Sequence, residues 1–264
     1  MSPHTPNPVA LEYDEAGSGP PLLVLHGLLG QARNWASQMK LFARDHRVLA
    51  VDLRNHGRSP WADSMTYEAM ADDIALLAEQ AGPPVRIIGH SMGGKVAMAT
   101  ALKFPELVER AVVVDISPVR HEKTPFYGYL EAMLALDLSG ITRRGQADRL
   151  LKDAIPSDAE RAFLLLNLAA EAGQGLRWRP NLRALYDGLP DILDWPKHLF
   201  EYRNPEPVLF VAGDGSPYIQ ESHKPAIARL FPQAEYAIIA DAGHWVHADQ
   251  PQAFYETVSA FLSR

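Results

Sequence analysis

Five residues, Gly89-His90-Ser91-Met92-Gly93, lie between an apolar run with the pattern of a strand and a segment with helical spacing. That setting is the one a nucleophile elbow requires. A strand that reverses into a helix within one tight turn forces its central residue into a strained conformation, so the neighbours must lack bulk. Gly89 and Gly93 supply that, and Ser91 then projects above the sheet. The backbone N–H of Met92, at the helix N-terminus, faces an oxyanion formed on an attacked carbonyl. A second donor should come from the turn after an earlier strand. His26-Gly27-Leu28-Leu29-Gly30 closes such a strand, making the Leu28 N–H the candidate and placing His26 where it could meet substrate.

A serine nucleophile needs a base, and ten histidines compete for that role. Position decides among them. In this chain order the base follows the last strand, where Asp241-Ala242-Gly243-His244-Trp245-Val246-His247 stands. His244 is preferred to His247 because Ala242 and Gly243 let the loop reach the site, and its neighbour Trp245 is a candidate substrate contact. Two strand ends could supply the orienting acid. After Val208 to Ala212 comes Gly213-Asp214-Gly215-Ser216-Pro217, with Ser216 where a carboxylate just before the proline would be sought first and Asp214 two residues early. After Val112-Val113-Val114 the chain runs straight into Asp115, beside the elbow. Asp115 is the preferred acid and Asp214 the alternative.

The elements that must hold these residues are legible as short apolar runs ending in polar or glycine-rich turns: 21–27, 47–52, 85–90, 111–115, 207–213 and 236–241. Such runs read as strands buried on both faces, the mark of a parallel sheet. Helical spacing appears between them, over 67–80 and 93–104 and again over 252–262, so strand and helix alternate in an α/β architecture with helices on both faces of the sheet. From about Val119 to Asn204 the strand pattern gives way to helical stretches over 129–136, 145–155 and 158–172. The expectation is an all-helical insertion, a lid over the strand ends, dividing the core into residues 1–118 and 205–264. Phe126 and Leu130 are the lid's candidate substrate contacts, in an apolar set that also includes Phe163 and Leu164.

A chain of 264 residues, 47% hydrophobic and 22% charged, can bury one large core. A formal net charge of −7, with no run of Lys or Arg, offers no stripe for phosphates, so nucleic acid is not an expected partner. The absence of cysteine excludes disulfides and thiolate chemistry. The first 17 residues lack the basic and apolar regions of a leader, and no apolar run approaches the roughly 18 residues of a spanning helix. A cytoplasmic protein without a membrane span is expected.

Read together, these features describe a serine hydrolase acting on a small-molecule ester of a carboxylic acid. A lyase or carbon–carbon bond hydrolase with the same three residues is the rival enzyme; it calls for carboxylate-binding arginines in the lid, and Arg143, Arg144 and Arg177 leave that open. A carboxylate nucleophile, as dehalogenases and epoxide hydrolases need, is excluded by Ser91. A non-enzymatic small-molecule receptor on the same fold is the alternative of a different class.

With these residues in place, the chain resembles the α/β-hydrolase superfamily and, more narrowly, its small bacterial carboxylesterases. The shared motifs read here as Val51-Asp52-Leu53-Arg54-Asn55-His56-Gly57-Arg58-Ser59, Gly89 to Lys95, Asp115-Ile116-Ser117-Pro118, Ser216-Pro217-Tyr218 and Gly243-His244-Trp245-Val246-His247. The resemblance spans nearly the whole chain and weakens in the insertion. It implies hydrolysis of carboxylic esters, acyl-CoA thioesters as a second substrate class, the acid at the position of Asp115, and neither metal nor organic cofactor. Asn55-His56-Gly57 belongs to the resemblance without an evident chemical role, and reads as a turn pinned by Arg54 or Arg58.

Overall fold

A computed structural model describes residues 8–122, 124–171 and 175–264. The leader reading of residues 1–7 and the last residue of the helix expected over 158–172 lie outside the described residues. In chain order the elements are β1 (Tyr13–Ala16), β2 (Pro21–Leu25), α1 (Ala36–Phe42), β3 (Arg47–Val51), α2 (Tyr67–Ala81), β4 (Val85–His90), α3 (Met92–Lys103) and β5 (Val108–Val114). Then come α4 (Phe126–Ala135), α5 (Arg144–Leu151), α6 (Asp158–Leu165), β6 (Leu168–Glu171), β7 (Gly175–Trp178), α7 (Leu182–Asp187) and α8 (Leu189–Leu193). The chain closes with β8 (Val208–Gly213), α9 (Lys224–Leu230), β9 (Ala234–Ile239), α10 (Val246–Asp249) and α11 (Pro251–Leu262).

Seven strands form one sheet in the order β1-β3-β2-β4-β5-β8-β9. All pairs are parallel except β1 on β3. The inner strands are buried nearly throughout, as their unbroken apolar runs require, because helices cover both faces. One apolar cluster joins the sheet to α2, α3 and α9, and a second joins it to α1 and α11. Helix α2 shows how such elements are punctuated: Thr66 accepts from the Ala69 N–H at its start, and Gly82 at φ 95° ends it.

Register brings the strand ends together. His90 pairs with Val114, Val114 with Val211, and Gly213 with Ile239. The residues that follow these four strands, Ser91, Asp115, Asp214 to Ser216 and Asp241 to His244, therefore emerge side by side on one rim.

The insertion between β5 and β8 is not all-helical. Residues 168–171 and 175–178 pair as an antiparallel hairpin, Leu168 opposite Trp178. The helix expected to run on from Asp158 stops at Leu165, because the buried Asn167 spends its side chain on the core: its Nδ2 donates to the Leu29 carbonyl at 2.6 Å. Gly175, at φ 86°, begins the returning strand. Among the described residues no helix is long and apolar enough to cross a membrane.

Candidate active site

Ser91 is the single residue between β4 and α3, and it holds φ 53° and ψ −119°. Such a conformation costs a non-glycine residue about 1–3 kcal/mol and persists only where the surroundings enforce it. Here they do. The Ser91 N–H donates to the Val114 carbonyl at 2.9 Å, and its own carbonyl accepts from Gly94 and Lys95 at 2.8 and 3.1 Å. A Cβ on Gly89 would stand 2.1 Å from the Gly93 carbonyl oxygen, and one on Gly93 would stand 2.5 Å from that of His26. Both positions are open only to glycine. As the first residue of α3, Met92 has an N–H without an intrahelical acceptor, and the residue lines a cavity that Ser91 borders.

Asp115 follows β5 directly at φ 52°, its N–H tied to the Val211 carbonyl at 2.8 Å. Its carboxylate is fully buried and accepts three hydrogen bonds. His244 Nδ1 donates to Oδ2 at 2.7 Å, the Ser216 hydroxyl donates to the same oxygen, and the Gly213 N–H approaches Oδ1 at 3.4 Å. The hydroxyl at Ser216, where a carboxylate is the first expectation, thus serves the carboxylate at Asp115. Asp214 is exposed and accepts instead from the Ala242 N–H at 3.3 Å, holding the loop that carries His244.

That loop is held from several sides. Its backbone lies against Gly213, where a Cβ would come within 2.4 Å of the Ala242 and Gly243 carbonyl oxygens. The Gly243 N–H donates to Asp249 at 2.8 Å, and His90 Nε2 donates to the His244 carbonyl at 2.8 Å. With Nδ1–H given to Asp115, the free lone pair of His244 sits on Nε2. Burial and the neighbouring His244 and His247 push His90 well below the ordinary imidazole range, so it stays neutral beneath the loop. His247 stacks on Trp35 with ring centroids 4.1 Å apart, and burial pushes it down to about 3. The residues that sequence reasoning missed are Ser216 as a donor to Asp115, His90 as a clamp, and Tyr218, whose ring lies 4.3 Å from that of His244. Their roles depend on tertiary neighbours, although Ser216 and Tyr218 lie in a motif already singled out.

Two buried histidines build the turn that carries Leu28. His26 Nδ1 donates to the Gly27 carbonyl at 2.7 Å and its Nε2 accepts from the Leu53 N–H at 3.0 Å. His56 Nδ1 donates to the Arg54 carbonyl at 2.9 Å and its Nε2 accepts from the Leu29 N–H at 3.1 Å. The Asn55-His56-Gly57 loop therefore fixes the backbone beside Leu28, with Leu29 at φ 59°. Arg54 anchors the loop through a buried two-pronged pair with Asp73 at 2.6 and 2.7 Å, and Arg58 pairs with Asp52 at 3.0 Å. Among the described residues the Leu28 N–H donates to no protein acceptor.

The four expected substrate contacts stand in different surroundings. Phe126 and Trp245 line cavities at Ser91, Trp245 packing on Phe163 of the lid at 5.7 Å. His26 forms cavity wall, but both its ring nitrogens are engaged by backbone, so it builds the turn and has no polar atom to offer. Leu130 lines neither cavity; it is fully buried and turned with Met133 into the apolar core. Arg143, Arg144 and Arg177 also line neither cavity; Arg144 donates to the Leu168 carbonyl at 2.8 Å, and Arg177 lines a surface cavity with Arg58 and Arg179. Among the described residues no group of three or more His, Asp or Glu could hold a metal ion.

A parallel sheet with helices on both faces, a serine at a strained strand-to-helix turn, and a buried Asp–His pair at the neighbouring strand ends define an α/β hydrolase. The chain belongs to the alpha/beta hydrolase fold family, which it matches over residues 20–251. It is 43% identical over 258 residues to the sn-1-specific diacylglycerol lipase ABHD11 of Xenopus tropicalis, covering 95% of this chain and 80% of that protein. It is 33% identical over 245 residues to Esterase YbfF of Escherichia coli, covering 92% and 93%. Among solved structures it is similar to a marine microorganism esterase, with a TM-score of 0.91 and 34% identity, covering 96% of this chain and 99% of that one.

Proposed function

We propose that the protein hydrolyses carboxylic esters through an acyl-enzyme formed on Ser91. The observation that carries this reading is the 2.7 Å bond from His244 Nδ1 to the buried Asp115, beside a serine held in the elbow conformation on the same cavity. Relatives named as an esterase and a lipase support it.

His244 Nε2 accepts the Ser91 proton as Oγ attacks the carbonyl carbon. The negative oxygen that forms is met by the N–H groups of Leu28 and Met92, on backbone that the fold holds in place. The bond to the leaving group breaks, and His244 returns the proton to the departing oxygen. Water, giving a proton to the same nitrogen, then attacks the acyl-enzyme; the acyl–Oγ bond breaks, His244 returns the proton to Ser91 and the carboxylic acid leaves. A thioester is cleaved by the same steps, with a thiol as leaving group. Residues 119–204 act as a lid whose α4 and α6 roof the cavity. 4-Nitrophenyl acetate should give a burst of nitrophenol followed by steady turnover, and Ser91→Ala should lower kcat by about 10⁶ with the fold intact. Retention of more than a small fraction of activity by that variant would assign the chemistry to another group.

A further inference from the structure

Two cavities meet at Ser91. The larger, about 340 Å³, is lined by His244 and Trp245 together with Asn34, Glu160 and Phe163. The smaller, about 30 Å³, is lined by Met92, Lys95, Ile116, Ile192 and Leu193, and His244 does not reach it. Leu28, Ser91, Phe126 and Tyr218 border both. Resting on the ester hydrolysis proposed above, we infer that the substrate is an ester of a short carboxylic acid with a larger, uncharged alcohol, the acyl group entering the small cavity and the alcohol the large one.

The assignment follows from where the proton must go. The carbon attacked by Ser91 carries four groups in the intermediate: Oγ, the oxyanion, the leaving oxygen and the acyl chain. The oxyanion faces Leu28 and Met92. The leaving oxygen must stand within hydrogen-bond reach of His244 Nε2 to take back the proton, so the alcohol lies on the side lined by His244. The acyl chain is left the direction away from His244, towards Met92 and Ile116.

Size then sets the chain. A cavity of about 30 Å³ has room for about two waters, enough for an acyl stub of about two carbons beyond the carbonyl. The wall is braced against expansion. Lys95 Nζ, buried at the back of this cavity, donates to the carbonyls of Val119, Leu193 and Asp194 at 3.0, 3.2 and 2.8 Å, and the Tyr67 hydroxyl donates to the Ile192 carbonyl at 2.6 Å. The larger cavity has the opposite character. Its lining includes Glu160, which accepts from the Tyr129 hydroxyl at 2.6 Å, and Asp249, with no Lys or Arg. Carboxylates there suit a neutral or hydroxyl-bearing alcohol and repel a phosphate-bearing leaving group.

Two ester series, each varying one half of the substrate, test this. Along 4-nitrophenyl acetate, butyrate, hexanoate and octanoate, kcat/KM should fall by about 100-fold, since added methylenes find no room. Along the acetates of ethanol, butanol and hexanol, whose leaving groups are of similar basicity, it should vary by less than about tenfold. Leu193→Ala, which keeps the carbonyl that Lys95 binds, should raise the hexanoate-to-acetate ratio by about tenfold. Phe163→Ala should leave that ratio in place and alter the ranking of the alcohols. A rise in octanoate over acetate for the unmodified enzyme, or an acyl ratio that responds to Phe163→Ala and not to Leu193→Ala, would overturn the assignment. An enzyme inert to all these esters, with no nitrophenol burst, would instead overturn the hydrolysis reading itself.

Discussion

The strand-end rim and the lid are built on different principles. On the rim the backbone itself is specified: Ser91, Asp115 and Asp241 stand at positive φ, and Gly89, Gly93 and Gly213 sit where a Cβ would meet a carbonyl oxygen within 2.5 Å. Each site residue follows a strand whose register is locked to its neighbour's. The lid is tied to the core by scattered polar links: Lys95 to Val119, Leu193 and Asp194, Asn167 to Leu29, and the Trp61 indole to the Arg179 carbonyl. Much of its remaining contact is apolar packing. The proposed mechanism thus places chemistry where geometry is over-determined and leaves the insertion to shape the space around it.

The severest challenge to this division lies within the rim, at its two aspartates. Asp115→Asn preserves shape but favours the wrong imidazole tautomer at His244, and should lower kcat by about 10⁴ at neutral pH, as in the serine-protease precedent. Asp214→Asn touches only a loop N–H and should cost no more than about tenfold. Kinetics on both variants, with circular dichroism to verify folding, decide between them; a crippled Asp214→Asn beside a nearly normal Asp115→Asn would reverse the acid assignment.

A smaller effect concerns stability in acid. His56 and His247 are each held at about 3 by burial, against about 6.5 for a free imidazole. Between those values the unfolded chain binds protons that the folded chain refuses, so their contribution is fully present above about pH 6.5 and is lost as pH falls towards 3. Protonating His56 would also remove the acceptor for the Leu29 N–H, so acid acts on the turn that carries Leu28. Urea unfolding at pH 7.5 and 5 should show lower stability at pH 5, and His247→Phe should narrow the gap. An unchanged gap in that variant would mean that His247 is not a source of the acid sensitivity.

The same contrast explains what could be read from the residues alone. The parallel strands were legible because burial on both faces leaves unbroken apolar runs, and Ser91, Asp115 and His244 because each follows such a run within a few residues. The elbow carried its own signal in Gly89 and Gly93. The lid was read less well. The hairpin at 168–178 was hidden because Asn167 ends the preceding helix through a contact 138 residues away in sequence. Leu130 looked like a pocket residue because apolar spacing marks a buried face without saying what lies opposite. At His26 only the fold shows that Gly27 and Leu53 take both ring nitrogens while the residue lines the cavity.

Everything in the proposed mechanism depends on His244, oriented by Asp115, activating Ser91 and no other serine. Fluorophosphonate labelling followed by peptide mapping reads that activation out, because only a serine next to a base attacks such reagents quickly. A single adduct on Ser91 is expected, lost in His244→Ala and retained in His247→Ala. An adduct on a different serine, or rapid labelling that survives His244→Ala and disappears in His247→Ala, would contradict it.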